Sequence, residues 1–360
     1  MKKPSPDRLI WFCARQRRTG LRQLRLAGRC RRQQGRAVAG RFATAIIPVP
    51  QHLLAELTSH RAALLITMNS IDKALRVPRA RVLLDFTRVK KLYPGGTLVL
   101  LAHLERLLQS FPGRIKARCM PGSLAAQLLG HFGIAAALKV SHAASVPKHE
   151  SVLNWQYLTG TQADGAKISS LLQTYRELTE QEPPQGLYDV LTEALTNVRH
   201  HAYPGAVIAL EPMRRWWLFS RYDAPKNKLP GSLYIAVYDL GIGIQNSFRG
   251  KLQRGEMLVG AADELASWMG LDLAIQERVL LKHAVEGNRT STGLAHRGKG
   301  LPEMRDFVKN TRSGRLYIIS GRAQYACVAA DDMSSCISCH DSFPGTLILW
   351  SIPLEVDEEL

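Results

Sequence analysis

Residues 42–150 alternate short apolar runs with stretches in which leucine recurs at helical spacing. Three apolar runs predict β-strands at 43–49, 79–86 and 114–119. Leucines at every third or fourth position predict a helix that begins after a turn at 94–96. A second helix is expected at 123–129, with Ser123 as its N-cap. Strands that alternate with helices in this way are typical of an α/β domain.

The stretch 187–205 carries a different pattern, in which a polar stripe borders an apolar helix face. The apolar positions are Leu187, Val190, Leu191, Ala194, Leu195 and Val198. With about 100° per residue, Glu193, Asn197 and His201 fall together at the edge of that face. Polar groups beside a core cost free energy unless they are hydrogen-bonded. Two explanations stay open at this point, namely bonds to neighbouring backbone or a binding site.

An aspartate ends the apolar strand predicted at 233–239 and is followed by two glycines. Asp239 at the strand end can accept a hydrogen bond from an amino group of a ligand. Gly241 and Gly243 allow a ligand to approach the backbone closely. A simple turn would also explain this pattern.

Two more glycine-containing stretches follow. At 297–304 a glycine-rich loop leads into a helix, and Pro302 suits its first turn. Backbone N–H groups and the helix dipole favour a phosphate there, and Arg297 and Lys299 add positive charge. At 343–350 a turn that contains Gly345 leads into a last strand.

In this order the four stretches resemble the GHKL superfamily, which includes gyrase-type, heat-shock-chaperone, histidine-kinase and mismatch-repair ATPases. The resemblance covers roughly residues 155–355 and is greatest to the anti-sigma-factor serine kinases and related bacterial regulators. It rests on Glu193-Ala194-x-x-Asn197-x-x-x-His201-Ala202-Tyr203, Asp239-Leu-Gly241-Ile-Gly243, Gly298-Lys-Gly300-Leu301 and Gly345-Thr346. The chain has no G-x-x-x-x-G-K-[ST] motif, which excludes a P-loop.

The resemblance implies an ATP site with Mg²⁺. Asn197 would supply an oxygen ligand for the ion, and Glu193 would orient or deprotonate the attacking hydroxyl or water. Asp239 would bind the adenine amino group, with Thr346 behind it. His201 would lie at the phosphate side or cap the helix. The remaining nucleotide-binding positions are Gly241, Gly243, Arg297, Gly298, Lys299, Gly300 and Leu301.

Between the glycine stretches, residues 245–297 are expected to hold an ATP lid. A helix is predicted at 264–283 and a loop at 287–294. Lids that become ordered on phosphate binding need such loops at their ends.

Residues 42–150 resemble a STAS domain, the fold of anti-anti-sigma factors, through Leu83-Leu84-Asp85-Phe86-Thr87-Arg88-Val89 and the leucine helix that follows. STAS switch proteins carry Asp-Ser-(Ser/Thr)-Gly at the next turn, where a hydroxyl is phosphorylated. Here the turn is Tyr93-Pro94-Gly95-Gly96. We therefore expect a module that docks a regulatory protein rather than a phosphorylated switch. A structural lobe without a site is the other interpretation. A polar, turn-rich stretch at 148–165 marks the expected domain boundary.

The net charge of +18 is concentrated at the N-terminus. Residues 1–41 contain eleven arginines and two lysines against one aspartate, a net charge of +12. Such an arm can contact nucleic acid, although a disordered tail or an over-long gene model would also explain it. No apolar run is long enough to span a membrane, and 9–14 is too short for a signal peptide. A cytoplasmic protein is expected, and its six cysteines have no disulfide-framework spacing.

Cys336-Ile-Ser-Cys339-His340 matches the covalent haem motif C-x-x-C-H. Haem attachment of this kind requires export, and no signal peptide is recognised. A zinc site with Cys327 as a further ligand is a second interpretation. The favoured interpretation is a surface hairpin loop with reduced thiols.

Together these observations predict three segments. They are a basic arm at 1–41, a STAS-like α/β domain at 42–150, and a GHKL α/β sandwich of mixed sheet and helices at 151–360. The expected function is that of a regulatory protein that uses Mg-ATP for hydrolysis or for protein Ser/Thr phosphorylation in partner-switching signalling. The alternatives are a non-catalytic, nucleotide-responsive scaffold and a nucleic-acid-associated regulator that acts through the arm. The oligomeric state, a homodimer included, stays open.

Overall fold

The computed structural model describes residues 44–140, 152, 154–204, 214–225, 230–253, 272–287, 300–311, 313–330 and 333–354. Within these residues it contains eight α-helices, one π-helix and ten strands, so the fold is mixed α/β. The chain divides into two compact units, Met1–Tyr157 and Leu158–Leu360. The basic arm at 1–41 lies outside the described residues.

The first unit is built on a parallel sheet with strand order β1-β3-β5. Its strands are β1 (Thr44–Pro48), β2 (His52–Leu53), β3 (Arg81–Asp85), β4 (Lys91–Leu92) and β5 (Ile115–Arg118). Its helices are α1 (Thr58–Arg76), α2 (Pro94–Ser110) and α3 (Leu124–His131). All three predicted strands are confirmed, and β2 and β4 form a further short parallel pair. Central strand β3 buries Val82 and Leu84 completely.

The predicted turn at 94–96 is wrong, because these residues form the first turn of α2. Pro94 is suited to that position, since a helix has no internal acceptor for its first N–H groups. Gly96 is required by packing, because a Cβ there would lie 2.5 Å from the carbonyl carbon of Leu53. The predicted cap of α3 is confirmed, since the Ser123 hydroxyl accepts from the Ala126 N–H at 3.3 Å.

The sheet of the second unit has the order β6-β7-β8-β10-β9. Its strands are β6 (Trp155–Gly160), which crosses the unit boundary, β7 (Trp216–Asp223), β8 (Ser232–Asp239), β9 (Arg315–Val328) and β10 (Met333–Pro353). The pairings β7–β8, β8–β10 and β10–β9 are antiparallel. The expected mixture of parallel and antiparallel strands is not seen in these three pairings.

The helices of the second unit share one core with its sheet. They are α4 (Gly165–Thr179), α5 (Leu187–Asn197), α6 (Ile244–Gln253), α7 (Leu273–Glu286) and α8 (Gly300–Lys309), and a π-helix (Val198–Ala202) continues α5. The apolar face predicted for α5 packs with sheet residues such as Ile235, Ile348 and Trp350 and with Met304 of α8. None of the helices in the described part of the chain combines the length and apolar composition that a membrane span requires.

Three predictions are corrected by the second unit. The stretch at 148–165 does not consist of turns alone, because it contains strand β6. The boundary between the two units lies within this same stretch, where a domain boundary was expected. Cys336, Cys339 and His340 lie within β10 rather than in a hairpin loop, since Cys336 pairs with Tyr325 of β9. The turn predicted at 343–346 is an irregularity inside β10, where the register with β9 shifts.

The predicted helix at 264–283 is described only from residue 272 onwards. There α7 begins at Leu273, and the carboxylate of Asp272 caps it by accepting from the Ala274 N–H at 2.9 Å. The helix continues to Glu286, beyond the predicted end. Most of the predicted lid loop at 287–294 lies outside the described residues.

Candidate active site

The structure places the first two residues of the predicted polar stripe, Glu193 and Asn197, on α5 as expected. Glu193 and Asn197 lie one turn apart in the regular α-helix, and both are partly buried. The backbone then changes to the π-helix, whose i→i+5 hydrogen bonds widen each turn. The rotation of about 100° per residue that holds in an α-helix therefore does not predict the direction of His201. Its partly buried ring instead meets the ring of His200 edge-on, with 6.1 Å between the centroids.

The second glycine stretch meets this helix at Glu193. Gly300 is the first residue of α8, and a Cβ there would lie 2.1 Å from Oε1 and 2.4 Å from Cγ of Glu193. A Cβ at position 300 would therefore require the Glu193 side chain to move. Leu301 packs against the core beside it. Arg297, Gly298 and Lys299 lie outside the described residues.

The surroundings of Glu193 favour its neutral form. Burial is the largest cause of its raised pKa, and the carboxylate of Glu303 on α8 adds to it. His200 and the nearby amide of Asn197 partly offset the rise. The Nδ2 atom of Asn197 is itself buried and outside hydrogen-bonding geometry, with no partner among the described residues. A buried amide group without a partner is rare in proteins.

Asp239 is a buried carboxylate at the end of β8. Asp239 is 5% exposed, and its Oδ1 atom accepts a hydrogen bond from the Gly241 N–H at 2.7 Å. No salt bridge reaches it from the described part of the chain. Burial raises the pKa of Asp239 to about 7, although the backbone N–H groups of Gly241 and Thr346 lower it in part.

The turn after Asp239 is attached to the π-helix. The Ile242 N–H donates to the carbonyl oxygen of Ala202 at 2.8 Å, and a Cβ on Gly241 would lie 2.4 Å from that oxygen. The hydroxyl of Tyr203 accepts from the Leu240 N–H at 3.0 Å and donates to the carbonyl of Arg215 at 2.9 Å. The predicted need for glycine at 241 is thus explained by packing against the protein itself.

Thr346 is the register partner of Asp239 in the β8–β10 pairing. Gly345 before it has a φ of 73°, and a Cβ there would overlap the Asp239 carbonyl. Gly243 also has a positive φ, 82°. Both glycines therefore hold backbone conformations that other residues rarely adopt.

Ser320 and Gln245 were not identified from the sequence. Both are buried beside Thr346, and the Ser320 hydroxyl lies 3.3 Å from Thr346 Oγ1. Ser320 ends an apolar run of β9, and Gln245 lies among polar residues of α6. Neither position stands out until the register of the sheet is known.

Cys336 and Cys339 of β10 belong to no candidate metal centre within the described part of the chain. The described residues contain no group of three or more His, Cys, Asp or Glu side chains that could hold a metal ion. Burial raises the pKa of Cys336 to about 12, so it is a protonated thiol, and it donates to the Arg278 carbonyl at 3.4 Å. Neither the haem nor the zinc interpretation has support here.

The predicted residues thus form two groups on either side of the π-helix. Glu193, Asn197 and Gly300 meet at α5, while the group around Asp239 is fastened to Ala202 and Tyr203. Comparisons with protein-family models, curated proteins and solved structures found no match for this chain.

Proposed function

We propose that the Leu158–Leu360 unit binds ATP with Mg²⁺ and that the chain is an ATP-dependent regulatory protein of the GHKL type. The observation that carries the proposal is the meeting of distant stretches on one helix. Gly300 lies against Glu193, and Gly241 lies against Ala202. Ala202 follows Glu193 by little more than two turns along α5 and the π-helix. Sequence segments that are far apart along the chain therefore lie against the same helical stretch, which supports a shared site.

Asp239 is the group proposed to bind the base. A buried carboxylate that accepts only backbone N–H groups costs free energy, and an amino group of a ligand would offset that cost. Adenine carries such an amino group. Asp239 must be ionised to accept from it, and its pKa of about 7 leaves it largely ionised at slightly alkaline pH.

Asn197 is the residue proposed to hold Mg²⁺. The ion prefers oxygen ligands and is usually bound together with nucleotide phosphates. The chemistry of the residue fits, because Asn197 offers a neutral amide oxygen, and its buried Nδ2 lacks a hydrogen bond of normal geometry to the described residues. When bound, the ion would neutralise charge on the triphosphate.

Glu193 is proposed as the general base. A carboxylate accepts a proton more readily when its pKa is raised towards the working pH, and burial and Glu303 raise it here. The proton would come from an attacking water or from a Ser or Thr hydroxyl of a partner protein. The second alternative is the one used in partner-switching signalling, in which the Met1–Tyr157 unit would dock the partner.

Calorimetric titration with ATP, with and without Mg²⁺, tests the nucleotide site directly. We expect Mg²⁺-dependent binding in the wild-type protein and loss of the Mg²⁺ dependence in Asn197→Ala. Asn69→Ala, an exposed position on α1, is the matched control and should bind as the wild type does. Absence of ATP binding by the wild-type protein would refute the proposal.

Turnover separates the enzyme from a nucleotide-responsive scaffold. Glu193→Gln should lower ATP turnover by roughly 10²- to 10⁴-fold while ATP affinity is retained. Glu303→Gln should keep turnover and move its acidic limb to lower pH, because Glu303 raises the pKa of Glu193. If Glu193→Gln matched the wild-type rate, Glu193 would not be the base. ATP binding without turnover would favour the scaffold.

A further inference from the structure

Three polar side chains stand in one row across the sheet of the second unit. Thr346 of β10 is the register partner of Asp239 on β8 and of Ser320 on β9. Directly opposed residues carry their side chains on the same face of a sheet, so the three are neighbours. Their exposed fractions are 8% for Thr346, 5% for Asp239 and 0% for Ser320. In such a buried row, the direction of each hydroxyl proton matters.

Four groups surround the Ser320 hydroxyl. The Ile244 N–H donates to it at 3.0 Å. Gln245 Oε1 lies at 3.0 Å, the Gly345 carbonyl oxygen at 3.2 Å and Thr346 Oγ1 at 3.3 Å. A serine hydroxyl has one proton to donate and two lone pairs with which to accept. The neighbours therefore compete, and only one of them receives the proton.

The amide of Gln245 decides which neighbours can receive it. Its other end donates to the carbonyl oxygen of Ser320, which can only accept, so that end must be the NH₂ group. The end that faces the Ser320 hydroxyl is then Oε1, an acceptor, and the Gly345 carbonyl is an acceptor as well. These two groups can only accept, whereas the Thr346 hydroxyl can also donate, so assigning the Ser320 proton to one of them leaves the fewest groups unpaired.

With this assignment of the Ser320 proton, Thr346 is the donor in the 3.3 Å contact between the two hydroxyls. One lone pair of Ser320 takes the Ile244 N–H, and the other is open to the Thr346 hydroxyl. With its proton directed towards Ser320, Thr346 offers only lone pairs in other directions. Its neighbour Asp239, when ionised, also offers only lone pairs.

We propose that Ser320 is a positioning residue that sets base specificity. Because Ser320 accepts the hydrogen bond from the Thr346 hydroxyl, Thr346 and Asp239 can both act only as acceptors towards a ligand. This pair of acceptors suits a purine with an amino group at position six. A purine with a carbonyl at position six would place an acceptor against these two acceptors and leave buried groups unpaired. Sites of this kind discriminate strongly against such a ligand. This inference rests on the proposed ATP site.

The test compares ATP with ITP, which carries a carbonyl at position six and the same triphosphate. Both are titrated into full-length protein with Mg²⁺ at pH 8, above the Asp239 pKa of about 7. The wild-type protein should prefer ATP by at least about tenfold. In Ser320→Ala the Thr346 hydroxyl can turn and donate to the carbonyl. The ATP/ITP affinity ratio should then fall by about fivefold or more.

A double-mutant cycle separates this role from a structural one. In a Thr346→Val background, Ser320→Ala should leave the ATP/ITP ratio unchanged, because no hydroxyl remains to be oriented. A merely structural serine would weaken both nucleotides alike in either background. Ser220→Ala removes a buried serine of the same sheet in another cross-strand row and should not change the ratio. If Ser320→Ala fails to fold, Ser320→Cys replaces the acceptor with a weak one at similar volume.

Two results would overturn the inference. If Ser320→Ala binds ATP and keeps the wild-type ATP/ITP ratio, Ser320 does not set specificity, and the ATP site stands. If the wild-type protein binds neither nucleotide, both the inference and the proposed function are wrong.

Discussion

Asp85 and Asp239 hold equivalent places in the two units of the chain. Each is the last residue of a strand that has a neighbouring strand on both sides, β3 in the first unit and β8 in the second. Asp85 accepts from Arg118 Nη2 at 2.7 Å, from the Thr87 hydroxyl at 2.7 Å and from the Thr87 N–H at 3.1 Å. Asp239 has no ion pair in the described part of the chain.

The two carboxyl groups titrate in opposite directions for this reason. The hydrogen bond from Arg118 and those from Thr87 hold the pKa of Asp85 well below its usual range. Burial raises the pKa of Asp239 to about 7. Asp85 therefore receives enough hydrogen bonds from the protein itself, whereas Asp239 lacks donors at the same kind of position.

This difference distinguishes a structural carboxylate from a candidate binding group. The Asp85 carboxylate has three donors and little capacity left for a ligand, so internal bonds account for this side chain. Burial of the Asp239 carboxylate has a free-energy cost that a hydrogen bond from a ligand could offset. The expectation that the first unit docks a protein partner stays a prediction, and it does not depend on Asp85.

The largest expected effect contrasts the two aspartates in ATP binding. Asp239→Asn removes the charged acceptor and should weaken ATP binding by about 10- to 100-fold, the usual range for a hydrogen bond to a charged group. Asp85→Asn should leave it unchanged. Calorimetric titration of both variants at pH 8 measures this contrast. Equal losses in the two variants would mean that Asp239 has no special role.

The elements that carry the two aspartates could be predicted from local sequence patterns. The strands ending at Asp85 and Asp239 and the helix that carries Glu193 follow from apolar periodicity, and the structure confirms them. Helix α1 was not predicted, although Leu64, Met68, Ile71 and Leu75 are buried at helical spacing and give it a clear signal.

Other features depend on tertiary contacts and leave no local signal. Arg118, which pairs with Asp85, lies 33 positions along the chain and meets it only because β3 and β5 are neighbours. Ser320 reaches Thr346 through the β9–β10 register in the same way. The first part of β10, which contains Cys336, was missed because its residues are mostly polar and exposed and lack the apolar alternation of a half-buried strand.

A smaller effect should appear as pH dependence. Below pH 7 Asp239 gains a proton and loses an acceptor, so wild-type ATP affinity should fall roughly tenfold between pH 8 and pH 6. Titrations at several pH values in Asp239→Asn report the change that comes from ATP itself. A wild-type profile that matches this control would place the Asp239 pKa outside this window.

The smallest effect concerns Asp85 and stability rather than binding. Because its folded pKa is depressed, Asp85 stabilises the first unit above the unfolded pKa near 4, and this contribution is lost as pH falls further. Arg118 is half exposed, so solvent weakens the pair, and Asp85→Asn should cost about 1–2 kcal/mol at pH 7. Hydrogen exchange of peptides that cover β3 and β5 localises the change, since the Phe86 N–H bonds the Arg118 carbonyl. The exposed change Asp341→Asn is the control in the second unit. Unaltered exchange in β3 and β5 would show that the bonds of Asp85 are replaced by water at no cost.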